Sequence, residues 1–171
     1  MKKRGQVWVE TMVYTLVAFV LIATVLFFVK PKVEEMQDQA LIEQSLKVMK
    51  YFDSTILELT QGVSGNKREI EIGIKKGTLK IDGINNKIIF EMESKYEYSE
   101  PGKTFVESSL NILTDKVGDE NKITISKQYS NYNLTFNNAD ESKLISASST
   151  PYTIFVSNKG DSPIVINFEI N

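Results

Sequence analysis

Residues 6–29 read QVWVETMVYTLVAFVLIATVLFFV, and nearly everything else about this chain follows from them. From Met12 to Val29 there are 18 consecutive residues without a charge. As a helix, Val7–Val29 is roughly 35 Å long at about 1.5 Å per residue, enough for a hydrocarbon core of about 30 Å. The segment is expected to cross a membrane. A secretory signal has an apolar core of about 7–15 residues and ends at small residues for cleavage. This stretch is longer and ends in Leu26-Phe27-Phe28-Val29-Lys30, so it is expected to stay with the protein.

Working outward, the charges divide unevenly around this segment. Residues 1–30 hold four bases (Lys2, Lys3, Arg4, Lys30) and one acid (Glu10), a balance of +3. The remaining 16 bases and 21 acids give −5, so the total of −2 averages two unlike pieces. Lys2, Lys3 and Arg4 outnumber Lys30 and Lys32, which places the N-terminus in the cytoplasm by the positive-inside rule and everything after Pro31 outside. The acidic exterior argues against nucleic acid as a partner. Among the 171 residues there is no Cys and no His. Disulfides, thiolate or imidazole metal sites, and Cys- or His-based catalysis are thereby excluded, and no cofactor is expected.

Beyond Lys30-Pro31-Lys32 the pattern becomes amphipathic. Val33, Met36, Ala40, Leu41, Val48, Met49, Phe52, Ile56, Leu59 and Val63 recur mostly at steps of three or four, one stripe of a helix. Glu34, Glu35, Asp38, Glu43, Lys47, Lys50 and Asp53 are expected on the opposite, solvated face. Pro31 removes one backbone donor and is expected to bend the helix without ending it. Gly62 with Ser64-Gly65-Asn66 is the stop.

From Arg68 the period changes to two. Ile70–Ile74, Thr78–Ile81, Lys87–Tyr98, Ile123–Ile125, Tyr132–Phe136, Lys143–Ala147, Tyr152–Ser157 and Ile164–Ile170 read as about eight short strands separated by turn residues. Thr104–Leu113 fits a strand or a short helix. The last two strands are expected to join across Asn158-Lys-Gly-Asp161, with Pro163 where it costs no ladder bond. Short strands at this spacing predict an antiparallel sandwich or barrel, with the helix stripe covering one open face. The expected class is α+β: a long N-terminal helix on an antiparallel β-sandwich head.

The N-terminus carries a further pattern. A basic leader, Met1-Lys-Lys-Arg4, ends in Gly5; Gln6 follows, Glu10 stands alone, and the apolar helix runs on. This resembles the class III signal of type IV pilins, in its archaeal form. Trp8 stands where that pattern usually has Ser, and Tyr14 where Leu is usual. The resemblance implies cleavage between Gly5 and Gln6 by a prepilin peptidase. It also implies filament assembly through the apolar helices, with Glu10 pairing to the new N-terminal amine of a like subunit, and a β-sandwich head, immunoglobulin-like or pilin-like, facing solvent. On the residues alone, the alternative is an acid that snorkels to the interface with no partner. The organisation expected is a leader at 1–5, a membrane or filament-core helix at 6–30, its amphipathic continuation at 31–62 and an extracellular head at 67–171. The partners implied are membrane lipid, the peptidase and like subunits in a helical homo-oligomer.

Other constellations are weaker. Glu69, Glu71, Glu91 and Glu93 alternate with apolar residues, as the solvated face of a strand does. Asp115–Asn121 has the composition of a calcium loop without its ligand spacing. Asn133-Leu-Thr135 is an N-glycosylation sequon, a possible extracellular modification site. Tyr96, Tyr98, Tyr129 and Tyr132 suit strand packing better than base stacking. With no phosphate loop, nucleophile elbow or basic patch, an enzyme is not expected. Two functions remain: a subunit of an archaeal pilus-like surface filament, or a non-polymerising single-span protein whose β-sandwich head binds something outside the cell.

Overall fold

The computed structural model describes residues 3–170, and their side chains from Val7 onward. Met1 and Lys2 of the expected leader lie outside the described residues, as do the side chains of residues 3–6. The chain divides into two compact units, one through Gln37 and one from Asp38 onward. Helix α1, Lys3–Gln61, contributes to both, with Pro31 inside it.

Ten strands follow: β1 (Lys67–Ile72), β2 (Thr78–Asp82), β3 (Lys87–Ser94), β4 (Thr104–Glu107), β5 (Leu110–Val117), β6 (Glu120–Gln128), β7 (Tyr132–Phe136), β8 (Ser142–Ser146), β9 (Tyr152–Gly160) and β10 (Ile164–Ile170). They form a four-stranded sheet, β1-β9-β10-β7, and a six-stranded sheet, β4-β5-β6-β3-β2-β8. The class is α+β, with a β-sandwich head. All pairs are antiparallel except β10 with β7, which run parallel from Ile164↔Tyr132 to Phe168↔Phe136.

The two strands beyond the expected eight come largely from Thr104–Leu113. It is a hairpin: Thr104 pairs with Leu113 and Glu107 with Leu110. Ser108 and Ser109 turn it with φ of 48° and 72°. Two central residues at positive φ match the twist of the flanking strands, but the usual signal is Asn-Gly, and Ser-Ser gives none. The Asp115–Asn121 stretch is also a hairpin, with Asp115↔Lys122 and Val117↔Glu120 paired around Gly118.

Period-two alternation sends one face of most strands inward. Ile88, Phe90 and Met92 of β3, Ile123 and Ile125 of β6, and Ile154 and Val156 of β9 are all buried. The outer part of α1 joins this same core through Ile42, Leu46, Met49, Phe52, Ile56 and Leu59. Each such side chain contributes roughly 1.5–3 kcal/mol by leaving water. The seat differs in phase from the expected stripe. Ile42 and Leu46 are central, Leu41 and Val48 only flank the core, and Val33, Met36 and Ala40 are exposed.

The rotated seat also overturns part of the expected solvated face. Asp38 and Asp53 are buried. Asp38 accepts from the Lys76 ammonium at 2.6 Å and from the Lys95 amide at 2.7 Å. Asp53 accepts from the Ser109 hydroxyl at 2.7 Å and pairs with Lys127 at 3.7 Å. These bonds satisfy both oxygens of Asp38 and Oδ2 of Asp53, which would be costly to bury alone, while Oδ1 of Asp53 is buried without a hydrogen-bond partner. The helix ends as expected at Gln61, and its last turn is capped from the head: the Asn158 side chain donates to the Leu59 carbonyl at 2.7 Å. Asn158 therefore belongs to β9, not to the closing turn.

Candidate assembly and membrane site

Residues 7–29 contrast with the core just described. No part of their apolar window is buried, and α1 is long and apolar enough there to cross a membrane. Trp8, Leu16, Phe19, Leu26, Phe27 and Phe28 each leave more than 60% of their surface open. A continuous apolar face of this size on a chain with its own complete core marks a surface made for something other than water.

The hydroxyl side chains of this segment find their partners within the helix, as lipid would demand. The hydroxyls of Thr11, Thr15 and Thr24 donate back to the carbonyls of Val7, Thr11 and Val20 at 2.9, 2.9 and 2.7 Å. Phe27 and Phe28 meet edge to face at 5.6 Å between centroids. At the polar end, Lys30 lies 3.9 Å from Glu34 and Lys32 lies 2.6 Å from Glu35.

Glu10 is exposed, and it has a partner one turn on: the Tyr14 hydroxyl donates to Oε1 at 3.2 Å. Both residues that depart from the pilin pattern are thus next to, or opposite, the one acid of the span. On a different side of the helix Trp8, Thr11, Met12, Thr15, Leu16 and Phe19 line a shallow groove of about 290 Å³. Gly5 and Gln6 lie within α1 by their backbone, and their side chains are outside the described residues.

The other candidate positions fall in the head. Asn133 is half-buried on β7, an edge strand, opposite Val165. Thr135 of the same sequon is buried, and its hydroxyl donates to Asn167 Oδ1 at 3.0 Å. Glu69, Glu71 and Glu93 are exposed, and Glu91 pairs with Lys122 at 2.9 Å. Tyr129 is buried in the core, and Tyr96, Tyr98 and Tyr132 pack against it. Burial and the neighbouring Glu107 push the Tyr98 phenol up to about 12. Among the described residues no group of three or more acidic side chains is placed to hold a metal ion.

Sequence reasoning missed Asp82. Burial alone would raise its pKa, but bonds from Lys80, Asn85 and Ser142 outweigh that and hold the carboxyl far below the carboxylate range. It ties the β2–β3 turn to β8. Asp82-Gly83 is turn chemistry by itself, but a bond to Ser142, 60 residues on at 2.9 Å, leaves no local trace. No protein-family model, curated protein or solved structure matches this chain.

Proposed function

We propose that this chain is a structural subunit of a pilus-like surface filament of the archaeal type IV kind. The observation that carries the proposal is the fully open apolar helix with a single carboxylate, Glu10, near its N-terminal end. The chain is inserted with its N-terminus in the cytoplasm and trimmed between Gly5 and Gln6 by a prepilin peptidase. It then exchanges lipid for like subunits along residues 7–29, while the β-sandwich faces outward. Lipid is as apolar as Leu, so the gain on assembly comes from packing and from pairing Glu10, not from the hydrophobic effect. Determination of the N-terminal residue, together with electron microscopy of the cell surface, tests this. Filaments whose subunits begin at Gln6 are expected, and Glu10→Leu is expected to insert and fold without assembling. Normal filaments from that variant would refute the role of Glu10.

One observation favours a second reading, a single-span anchored protein with a binding head. Trp8 and Tyr14 are open at one end of the span, where amphipathic rings settle at a membrane interface. Intact mass separates the two, since the anchored protein keeps Met1 or Lys2.

A further inference from the structure

Each sheet of the head has two outer strands, and the two sheets treat them differently. In the four-stranded sheet β1 exposes Lys67, Arg68, Glu69 and Glu71, charges of the kind that keep a strand edge from pairing. On β7 the Leu134 N–H is taken by the Asn86 side chain at 2.7 Å. The six-stranded sheet ends instead in β4 and β8, with no strand beyond either among the described residues. Thr104-Phe105-Val106 of β4 is uncharged and exposed, and so is Leu144 of β8.

The ladders decide which backbone groups face outward. Glu107 and Leu110 close a two-residue hairpin and bond each other, and bonding alternates residue by residue from there. Thr104 and Val106 thus turn their N–H and C=O groups to the open edge. The Val117–Glu120 hairpin sets the same alternation for β6, and it carries through β3 and β2 to β8. There Ser142, Leu144 and Ser146 face outward. The Ser146 carbonyl accepts from the Tyr152 hydroxyl at 3.0 Å and keeps a second lone pair.

Every pair from β4 to β8 is antiparallel, so the two outer strands run in opposite directions. A second copy set beside the first therefore presents its β8 antiparallel to β4. Phe105 lies opposite buried Ile112, and Ile145 opposite buried Leu79, so both are on the core side of the sheet. Of the registers that keep those faces together, one lays all of β4 on β8. It sets Thr104 opposite Ser146, Phe105 opposite Ile145, Val106 opposite Leu144 and Glu107 opposite Lys143.

We propose that β4 of one copy pairs with β8 of a second copy in this register, joining their heads in one continuous sheet. The outward pairs, Thr104 with Ser146 and Val106 with Leu144, exchange backbone bonds, and the two open apolar side chains cover each other. Lys143 meets an acid of opposite charge. Glu107 is already bonded by Lys50 and Tyr98, and its carboxylate has lone pairs to spare. Because the contact joins opposite edges of one sheet, it is heterologous and propagates. It uses no residue before Asp38, so it stands or falls apart from the filament reading.

The chain has no Cys, so introduced thiols report without background. Within one chain Val106 and Leu144 are about 24 Å apart, across five strand spacings of about 4.8 Å. A disulfide needs Cα atoms within about 7 Å, so Val106→Cys with Leu144→Cys can bond only between copies. The full-length double variant, oxidised in detergent, is expected to give a ladder of dimers, trimers and higher species. Each single variant is expected to stay monomeric. Thr104→Cys with Ser146→Cys, opposite in the same register, is a second pair with the same expected ladder. Lys143→Glu added to either pair sets two acids opposite each other and is expected to lower the ladder yield about fivefold.

Folded protein with no ladder from either pair would overturn the proposal. So would efficient dimers from Val106→Cys alone, which mean a two-fold contact between β4 strands. A ladder indifferent to Lys143→Glu would mean random collision and overturn it as well.

Discussion

Lys127 of β6 meets Asp53 of α1 on the core side of the six-stranded sheet, with 3.7 Å between Nζ and Oδ2. Lys127 shares the strand parity of the buried Ile123 and Ile125, so its stem enters the core and its ammonium has few alternatives. The Ser109 hydroxyl, from the β4–β5 turn, bonds the same carboxylate oxygen at 2.7 Å. One acid thus fixes the helix against both β6 and the β4–β5 turn. Burial, with the adjacent Asp53 charge, also raises the pKa of the Tyr129 phenol.

Removing one partner of such a pair should cost more than removing both. The pair is not fully buried, so Asp53→Ala is expected to lose about 1–3 kcal/mol, short of what a fully buried pair would lose. Asp53→Leu with Lys127→Met, which replaces the charges by apolar volume, is expected to recover most of it. Denaturant unfolding of the detergent-solubilised protein measures both. A double variant weaker than Asp53→Ala would show the pair to be net stabilising.

The register of the helix on the sandwich makes a second prediction. Phe52 is fully buried, its ring 6.2 Å from that of Phe168, so Phe52→Ala is expected to cost about 3–5 kcal/mol. Met36, which the sequence pattern placed on the same stripe, is 64% exposed. Met36→Ala is expected to change stability by less than about 0.5 kcal/mol. Similar losses from the two would contradict the seat described above.

That contrast also shows where sequence pattern stops. Period and turn residues were enough for the helix end at Gly62, most strands and the switch from helix to sheet, because each is a local preference. The phase of the stripe was not legible, since Leu41 and Ile42 are adjacent apolar residues and only the sandwich selects between them. Asp38 and Asp53 looked like solvent-facing charges because their partners, Lys76, Lys95, Ser109 and Lys127, are remote in sequence. The parallel β7–β10 pair is equally non-local. At the candidate site, Glu10 and the apolar run were legible, whereas the Tyr14 bond and the groove depend on which side chains share a helix face.

Acid should reveal Asp82. Its folded-state pKa lies below the unfolded value near 4, so its contribution is complete above about pH 4 and is lost as pH falls below that. Glu107, beside Lys50, and Glu169, beside Lys67, are shifted in the same direction and add to the slope. Asp82→Asn is expected to lower stability at neutral pH by about 1–3 kcal/mol and to flatten the loss below pH 4. Urea midpoints followed from neutral to acid pH decide it, and parallel curves for the two proteins would reject the assignment.

Among the described residues, the 3.2 Å bond from the Tyr14 hydroxyl is the one side-chain hydrogen bond that Glu10 accepts. Side chains on a helix lean toward its N-terminus, so the Tyr14 ring lies over the turn that carries Glu10. Tyr14→Phe keeps the ring and deletes only the donor. It is expected to weaken retention of the chain in membranes by about 0.6 kcal/mol, and by no more than about 1.7. In a Glu10→Leu background the same substitution is expected to do nothing, because the group it serves is gone. The double-mutant cycle isolates that coupling from any general effect of the ring. Equal effects of Tyr14→Phe with and without Glu10 would mean that Tyr14 acts through the interface alone, as an aromatic anchor.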